Sequence, residues 1–289
     1  MKNTNLYTLI VLLFFSCSGG GSRNVRVDLF NGKYLTGWVQ RNGEAEFKSG
    51  NREIVGISNP GTPNSFLCTE NVIHNYLSDR EKEEGWALLF DGKTFAGWRG
   101  ALMDAMPDQG WTIRDGAIEI LPGDESGGGR DIVSIDQFSN FELVFDFKLS
   151  EGANSGLKYY VTENVYDKGA LGPEYQILDD AKNPDALMGI NGNRTLSSLY
   201  DIMPAKGTRF NGIDQWNTGR VVAKNNHIEH WLNNIKVLEY ERGSDEYQKM
   251  VSQSKFSKMR QFGEAPEGHI LLQHHNDRVW FRNLKIKLL

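Results

Sequence analysis

Phe141-Glu142-Leu143-Val144-Phe145-Asp146-Phe147-Lys148-Leu149 places a large apolar residue at every second position. Successive side chains of a strand point to opposite faces, so this run is a strand with one face in a core and the other turned outward. The same period continues through residues 156–162, 174–178, 219–224, 227–232, 235–240, 269–274 and 279–288. Asn225-Asn226 and Asn233-Asn234 separate three of these runs. Tight hairpin turns need positive φ, which Asn tolerates better than most residues. Helical spacing stands out only at residues 244–255, where Tyr247, Met250, Val251 and Ser254 share a face. The expected fold is all-β, an antiparallel sandwich.

Upstream of these strands stands Leu89-Phe90-Asp91-Gly92-Lys93, running to Gly97-Trp98. It repeats Leu29-Phe30-Asn31-Gly32-Lys33, running to Gly37-Trp38, sixty residues earlier. The echo continues, 47–54 matching 111–118 and 65–70 matching 131–136, and then stops at the charged stretch 78–85. Residues 25–75 therefore read as a truncated copy of the domain's first strands, 76–84 as a charged linker, and 85–289 as the complete domain. A few strands cannot bury a two-sided core alone, so the fragment leans on the second domain, pairs with another chain or stays loose.

A net charge of −5 and scattered Lys and Arg lack the basic footprint of a nucleic-acid binder, so no nucleic-acid partner is expected. Residues 1–17 read as an export signal, with Lys2 at the positive end and an apolar stretch at 9–15. Phe15-Ser16-Cys17 resembles a bacterial lipoprotein box, in which Cys17 would carry the lipid, and 18–24 read as a flexible tether. An ordinary secretory signal with an incidental Cys is the other reading. The expectation is a cell-envelope lipoprotein, periplasmic or at the outer membrane, meeting the membrane only through its lipid anchor.

Five phrases in order carry a resemblance: LLFDGKTFAGW from Leu88, NSGLKYYV from Asn154, GPEYQILDD from Gly172, HIEHWLNN from His227 and VWFRNLKIK from Val279. Together they resemble the bacterial 3-keto-disaccharide hydrolase family, also described as 3-keto-glucoside lyases and 3-keto-2-hydroxy-glucal hydratases. The resemblance implies a jelly-roll sandwich of the concanavalin A-like lectin and glucanase type, with a polar concave face for sugar. It also implies a 3-keto sugar as substrate and an oxidoreductase that makes the 3-keto group. A C3 ketone acidifies the C2 proton, so a base can remove it and expel the C1 aglycone by β-elimination. That route does not need the paired carboxylates of ordinary glycosidases. It needs a base near C2, a cation or hydrogen-bond donor near the C3 oxygen, and an acid for the departing oxygen.

Period two then selects candidates. Glu174 and Gln176 project together, opposite Tyr175 and Ile177; Lys158 alternates with Leu157 and Tyr159, and Asp146 with Phe145 and Phe147. His230 alternates with Glu229 and Trp231, which leaves its face open. Glu174 and His230 are the candidate proton-transfer groups, and Lys158 the group polarising the C3 oxygen. Gln176, Asp146, Arg130, Arg194 and His275 complete the candidate substrate-binding set.

In the cluster Gln273-His274-His275-Asn276-Asp277, His274 stands where relatives commonly carry an acidic residue and Asn276 where they carry glycine. That departure bears on activity more than on fold. Asp179, Asp180 and Asp185 open a long loop and leave room for a divalent cation, though without EF-hand spacing. Trp98, Trp111, Trp216, Trp231 and Trp280 are candidates for stacking on sugar, with core packing the default. Two function classes follow: an enzyme that cleaves 3-keto-glycosides or hydrates the resulting glucal, and a noncatalytic carbohydrate-binding lipoprotein.

Overall fold

A computed structural model describes residues 38–41, 44–50, 53–57, 65–69, 74–123, 130–165 and 169–289. The expected signal with Cys17, the tether, and the first copy of the opening phrase as far as residue 37 lie outside the described residues. The chain divides into two units, Met1–Ile73 and His74–Leu289. In the first, β1 (Trp38–Arg41), β2 (Glu46–Gly50), β3 (Glu53–Ile57) and β4 (Phe66–Thr69) form two antiparallel pairs, β1 with β4 and β2 with β3.

The second unit begins eleven residues before the expected boundary at 85. The stretch read as a linker is a short helix, α1 (Asp79–Glu83), closed by a reciprocal capping box between Ser78 and Glu81. Glu81 pairs with Lys285, and Asn75 and Asn283 each donate a backbone N–H to the other's side-chain oxygen. Behind it come β5 (Trp86–Leu88), β6 (Trp98–Gly100), β7 (Trp111–Arg114), β8 (Ala117–Ile120), β9 (Ile132–Phe138) and β10 (Phe141–Leu149). Next are β11 (Asn154–Glu163), β12 (Ala170–Leu171), β13 (Glu174–Leu178), β14 (Asn217–Lys224), β15 (His227–Leu232) and β16 (Ile235–Glu241). The chain ends with α2 (Asp245–Ser252), β17 (Gly268–Leu272) and β18 (Val279–Leu288).

These strands make an antiparallel two-sheet sandwich, as the alternation anticipates. The larger sheet runs β16-β15-β14-β10-β18-β8-β7, with β5 also on β18; the smaller runs β12-β11-β17-β9-β6, with β13 on β11. Asn225, Asn233 and Asn234 take positive φ at the hairpin turns flanking β15. Phe141, Leu143, Phe145, Phe147 and Leu149 of β10 are fully enclosed and meet Leu157, Tyr159, Tyr175 and Ile177 of the smaller sheet in one core. The Phe145 and Tyr175 rings touch edge-on across it, 5.3 Å between centroids.

Because Leu157, Tyr159, Tyr175 and Ile177 point into that core, Lys158, Glu174 and Gln176 must point away from it. The outer face of the smaller sheet thus carries the polar site. Tyr160 interrupts the alternation with φ +50°, so both it and Tyr159 face inward and Val161 returns to the outer face beside Val133 and Leu271.

Candidate active site

Lys158 and Glu174 are direct cross-strand partners on β11 and β13. Lys158 Nζ lies 3.9 Å from Glu174 and 3.8 Å from Asp131, at the start of β9, so one ammonium bridges two carboxylates. Both partners of the β11–β13 pair are nearly enclosed, Glu174 at 5% exposure and Lys158 at 7%. Burial raises the Glu174 carboxyl above the usual carboxylate range, against the opposing pull of Lys158 and Lys255. A carboxyl raised this way is a stronger proton acceptor, once ionised, than one in water.

Glu174 and Lys158 open onto a cavity of about 280 Å³ lined also by Lys255, Gln273, Leu171, Phe256 and Met259. The turn after α2 delivers Lys255 and Phe256. Ser254 caps that turn by accepting from Phe256 N–H, and Asp201 Oδ2 accepts the backbone N–H of Lys255 at 2.6 Å. The residue is exposed as a whole, yet its amine lies 4.1 Å from the centre of the Tyr200 ring. Tyr200 is tied to β13 by a backbone hydrogen bond to Glu174 O.

The long loop after β13 is pinned by Arg194, which pairs with Asp185 at 2.8 Å and Asp201 at 2.6 Å. Arg194 is therefore a strut of the loop, already neutralised, and its carbonyl covers Gln176. Gln176 shares the outer face but is fully enclosed, with Oε1 unpartnered, so it supports the loop and does not line the cavity. Arg130 is exposed beside Asp131, and its carbonyl accepts from Trp111 Nε1. His275 is exposed and close enough to Glu174 to interact with it electrostatically. His274 packs edge-on against Trp111, 5.6 Å between centroids, and its backbone N–H binds Asp131.

Two further expectations are corrected. His230 is not a proton-transfer group at the cavity: it is wholly buried in the inter-sheet core, bonded to Tyr159 Oη at 2.8 Å and near Ser197 O at 3.0 Å. Burial lowers its pKa to about 4, so the ring is neutral there. Asp146 does point outward, but from the larger sheet, where Thr218, Asn283 and Arg282 occupy its carboxylate.

The loop aspartates do not fit a cation. Asp179 accepts from Gly152 and Ala181, Asp180 from Leu196, and Asp185 pairs with Arg194, so the three carboxylates are spent on the loop itself. His227, Glu229 and Glu239, on the β15–β16 hairpin, do bring ligand atoms within 4.8 Å of one another. Lys236 already occupies both glutamates there, at 3.2 and 2.6 Å. Among the described residues no tryptophan lines the cavity; Trp98 and Trp111 are core, while Trp216, Trp231 and Trp280 pack with Arg282, Arg220 and Lys148 respectively.

Sequence reasoning missed Asp131, Tyr200 and Lys255. Asp131 precedes an evident strand and sits one position from the core residue Ile132, so alternation places it outward. Lys255 closes the one stretch with helical spacing. Tyr200 lies in a loop and offers no periodic signal.

A family model for the 3-keto-alpha-glucoside-1,2-lyase-like domain matches residues 85–287. A 3-keto-disaccharide hydrolase of Bacteroides thetaiotaomicron is 36% identical over 231 residues, which is 71% of this chain and 79% of that protein. A crystal structure of a candidate glycosyl hydrolase from Parabacteroides distasonis aligns with TM-score 0.65 at 30% identity, covering 75% of this chain and 99% of that one. A second from the same organism gives TM-score 0.55 at 28% identity, covering 71% and 99%. The outward carboxylate–lysine pair and its cavity lie inside the matched span, and over that span the chain belongs to the 3-keto-alpha-glucoside-1,2-lyase-like family.

Proposed function

We propose that this chain is a carbohydrate-active enzyme that cleaves 3-keto-glycosides, 3-keto-disaccharides among them, with Glu174 as the base that removes the C2 proton. The observation that carries this reading is the nearly enclosed Glu174 carboxylate beside Lys158 at the wall of a cavity of about 280 Å³. That volume is near the lower end of the range for ligand sites, roughly 300–1,000 Å³. Burial holds the carboxyl above its ordinary range, which matches a base working near neutral pH. Loss of the C2 proton leaves an enolate across C2 and C3. Collapse of the enolate re-forms the ketone, makes the C1–C2 double bond and breaks the bond from C1 to the aglycone oxygen, which takes a proton from water as it leaves. Hydration of the resulting 3-keto-2-hydroxy-glucal would use the same base on water.

In this reading the substrate's ketone is made by an oxidoreductase acting first, and the lipoprotein-like signal supports a site of action at the cell envelope. The test is incubation with a 3-keto-glucoside and, separately, its unoxidised parent in deuterated water, followed by NMR. Aglycone release with C2 deuteration, or a glucal, from the keto sugar alone is the expected result. Binding of the keto sugar without exchange or release would replace the enzyme with a carbohydrate-binding module.

A further inference from the structure

We infer that Lys255 is a catalytic residue of this site, its ammonium receiving the C3 oxygen and stabilising the enolate formed when Glu174 takes the C2 proton. The inference rests on the elimination proposed above and reassigns the role that the sequence reading gave to Lys158.

Lys158 and Lys255 act on Glu174, Arg194 acts on Lys255, and the three cations differ in what neutralises them. Lys158 sits between Asp131 and Glu174, at 3.8 and 3.9 Å. Arg194 sits between Asp185 and Asp201, at 2.8 and 2.6 Å. Lys255 makes no ion pair among the described residues; its amine faces the Tyr200 ring at 4.1 Å and the Phe256 ring at 5.2 Å. A cation already shared between two carboxylates has little field left for a third anion. The uncompensated one is the group that an incoming oxyanion would meet.

Its position is fixed as well as free. Asp201, which holds the Arg194 guanidinium with one oxygen, holds the Lys255 backbone N–H with the other. Lys255 and Glu174 line the same cavity, with Leu171, Phe256 and Met259 supplying its apolar walls. In the free protein this is unfavourable: burial and the positive charges of Lys158 and Arg194 bring the Lys255 ammonium below the usual lysine range, partly offset by Glu174 and Asp201. A neutral ketone relieves little of that cost, and an enolate relieves much more. An interaction stronger with the anion than with the ketone lowers the barrier to proton removal and leaves ground-state affinity nearly unchanged.

The step balances without an oxidant or a co-reactant. The C2–H bond breaks, its proton goes to Glu174, and its electron pair moves into the C2–C3 bond while the carbonyl pair moves to the oxygen facing Lys255. Collapse reverses the last shift, moves the C2–C3 pair into the C1–C2 bond and expels the aglycone oxygen, which takes a proton from water while Glu174 returns its proton to solvent.

Lys255→Met tests this in the full chain, since Met keeps an apolar stem on Tyr200 and loses only the charge. With a 3-keto-glucoside in deuterated water, kcat and C2 deuteration should fall together, by about 10²–10³-fold. KM should stay within a few-fold, the thermal midpoint should not move, and Lys255→Arg should recover part of the rate. A Lys255→Met protein with wild-type kcat, or with a defect confined to KM, would overturn the inference while leaving the elimination standing. So would a borohydride-reducible sugar adduct on Lys255, which would make it a nucleophile instead. Absence of turnover in the wild-type chain would remove the elimination itself, and the role of Lys255 with it.

Discussion

The Glu174 carboxylate lies over Gly156: a methyl group at position 156 would stand 2.3 Å from Glu174 Oε1 and 2.8 Å from its carboxyl carbon. Gly156 is the cross-strand partner of Gln176, two residues along from the Lys158–Glu174 pair, so the side chain leans along the strand into space that a β-carbon would fill. Glycine at 156 is there for the acid, and not for a positive φ.

Gly156→Ala should therefore push the carboxylate out of place while leaving the sandwich folded. Displacement of a reacting group by about 1 Å costs on the order of 10²-fold in rate, whereas local overpacking costs about 1–3 kcal/mol of stability. Steady-state kinetics on a 3-keto-glucoside, paired with thermal denaturation, separates the two. Wild-type kcat in this variant would mean that the position of Glu174 does not matter to turnover.

Glu174→Gln should lower kcat by about 10²–10⁴-fold, the usual contribution of a positioned base. The base must be ionised, and burial raises its pKa, so the rising limb of the pH–rate profile should lie above the ordinary carboxylate range. The falling limb should follow loss of the Lys255 charge and lie below the ordinary lysine range, and it should vanish in Lys255→Met. A rising limb at the ordinary carboxylate position would count against Glu174.

Alternation made the strands legible, because a half-buried strand must show it. β10, β11 and β13 to β18 fall close to where period two puts them, and α2 falls within the one helical stretch. It also set Glu174 and Lys158 opposite their apolar neighbours, and both do point away from the core. It failed for Asp146 because period two tells inside from outside, but not which of two outer faces a strand presents. His230 was legible in principle: Ile228 and Leu232 flank it at the same phase, and all three are fully buried. Arg194 was a substrate-binding candidate because its partners Asp185 and Asp201 come together only through the loop's own fold. Tyr200 lies in a loop where no period runs, and Lys255 ends the helical stretch outside its apolar face; backbone hydrogen bonds to Glu174 and Asp201 respectively hold them in place.

His230 should make stability pH-dependent. Its folded pKa of about 4 lies below the ordinary histidine value of 6.5, so above 6.5 both states are neutral and its contribution is complete. As pH falls from there, the unfolded chain binds a proton that the core refuses, and stability is lost down to about pH 4. The loss amounts to about 3 kcal/mol by linkage. Denaturant titrations of wild type and His230→Gln across that interval should show a shallower slope for the variant. Parallel slopes would mean that the imidazole gains a proton in the folded state.

The segment 74–84 should be part of the enzyme domain's stability and not of its chemistry. Ser78 caps α1 and Glu81 closes the box, while Lys285 on β18 holds the Glu81 carboxyl down to about 2. That contribution is present above the ordinary Glu pKa and is lost as pH falls toward 2. Ser78→Ala should cost about 1 kcal/mol, the usual worth of such a cap, which lowers the thermal midpoint by about 2–4 °C in a domain of this size. Glu81→Gln should cost a similar amount at neutral pH and nothing near pH 2. In both variants kcat and KM should be unchanged, because the helix packs by the larger sheet and the cavity lies on the outer face of the smaller one. Faster proteolysis within 74–85 at constant kcat is the expected signature. A fall in kcat at unchanged stability would instead tie this segment to the active site.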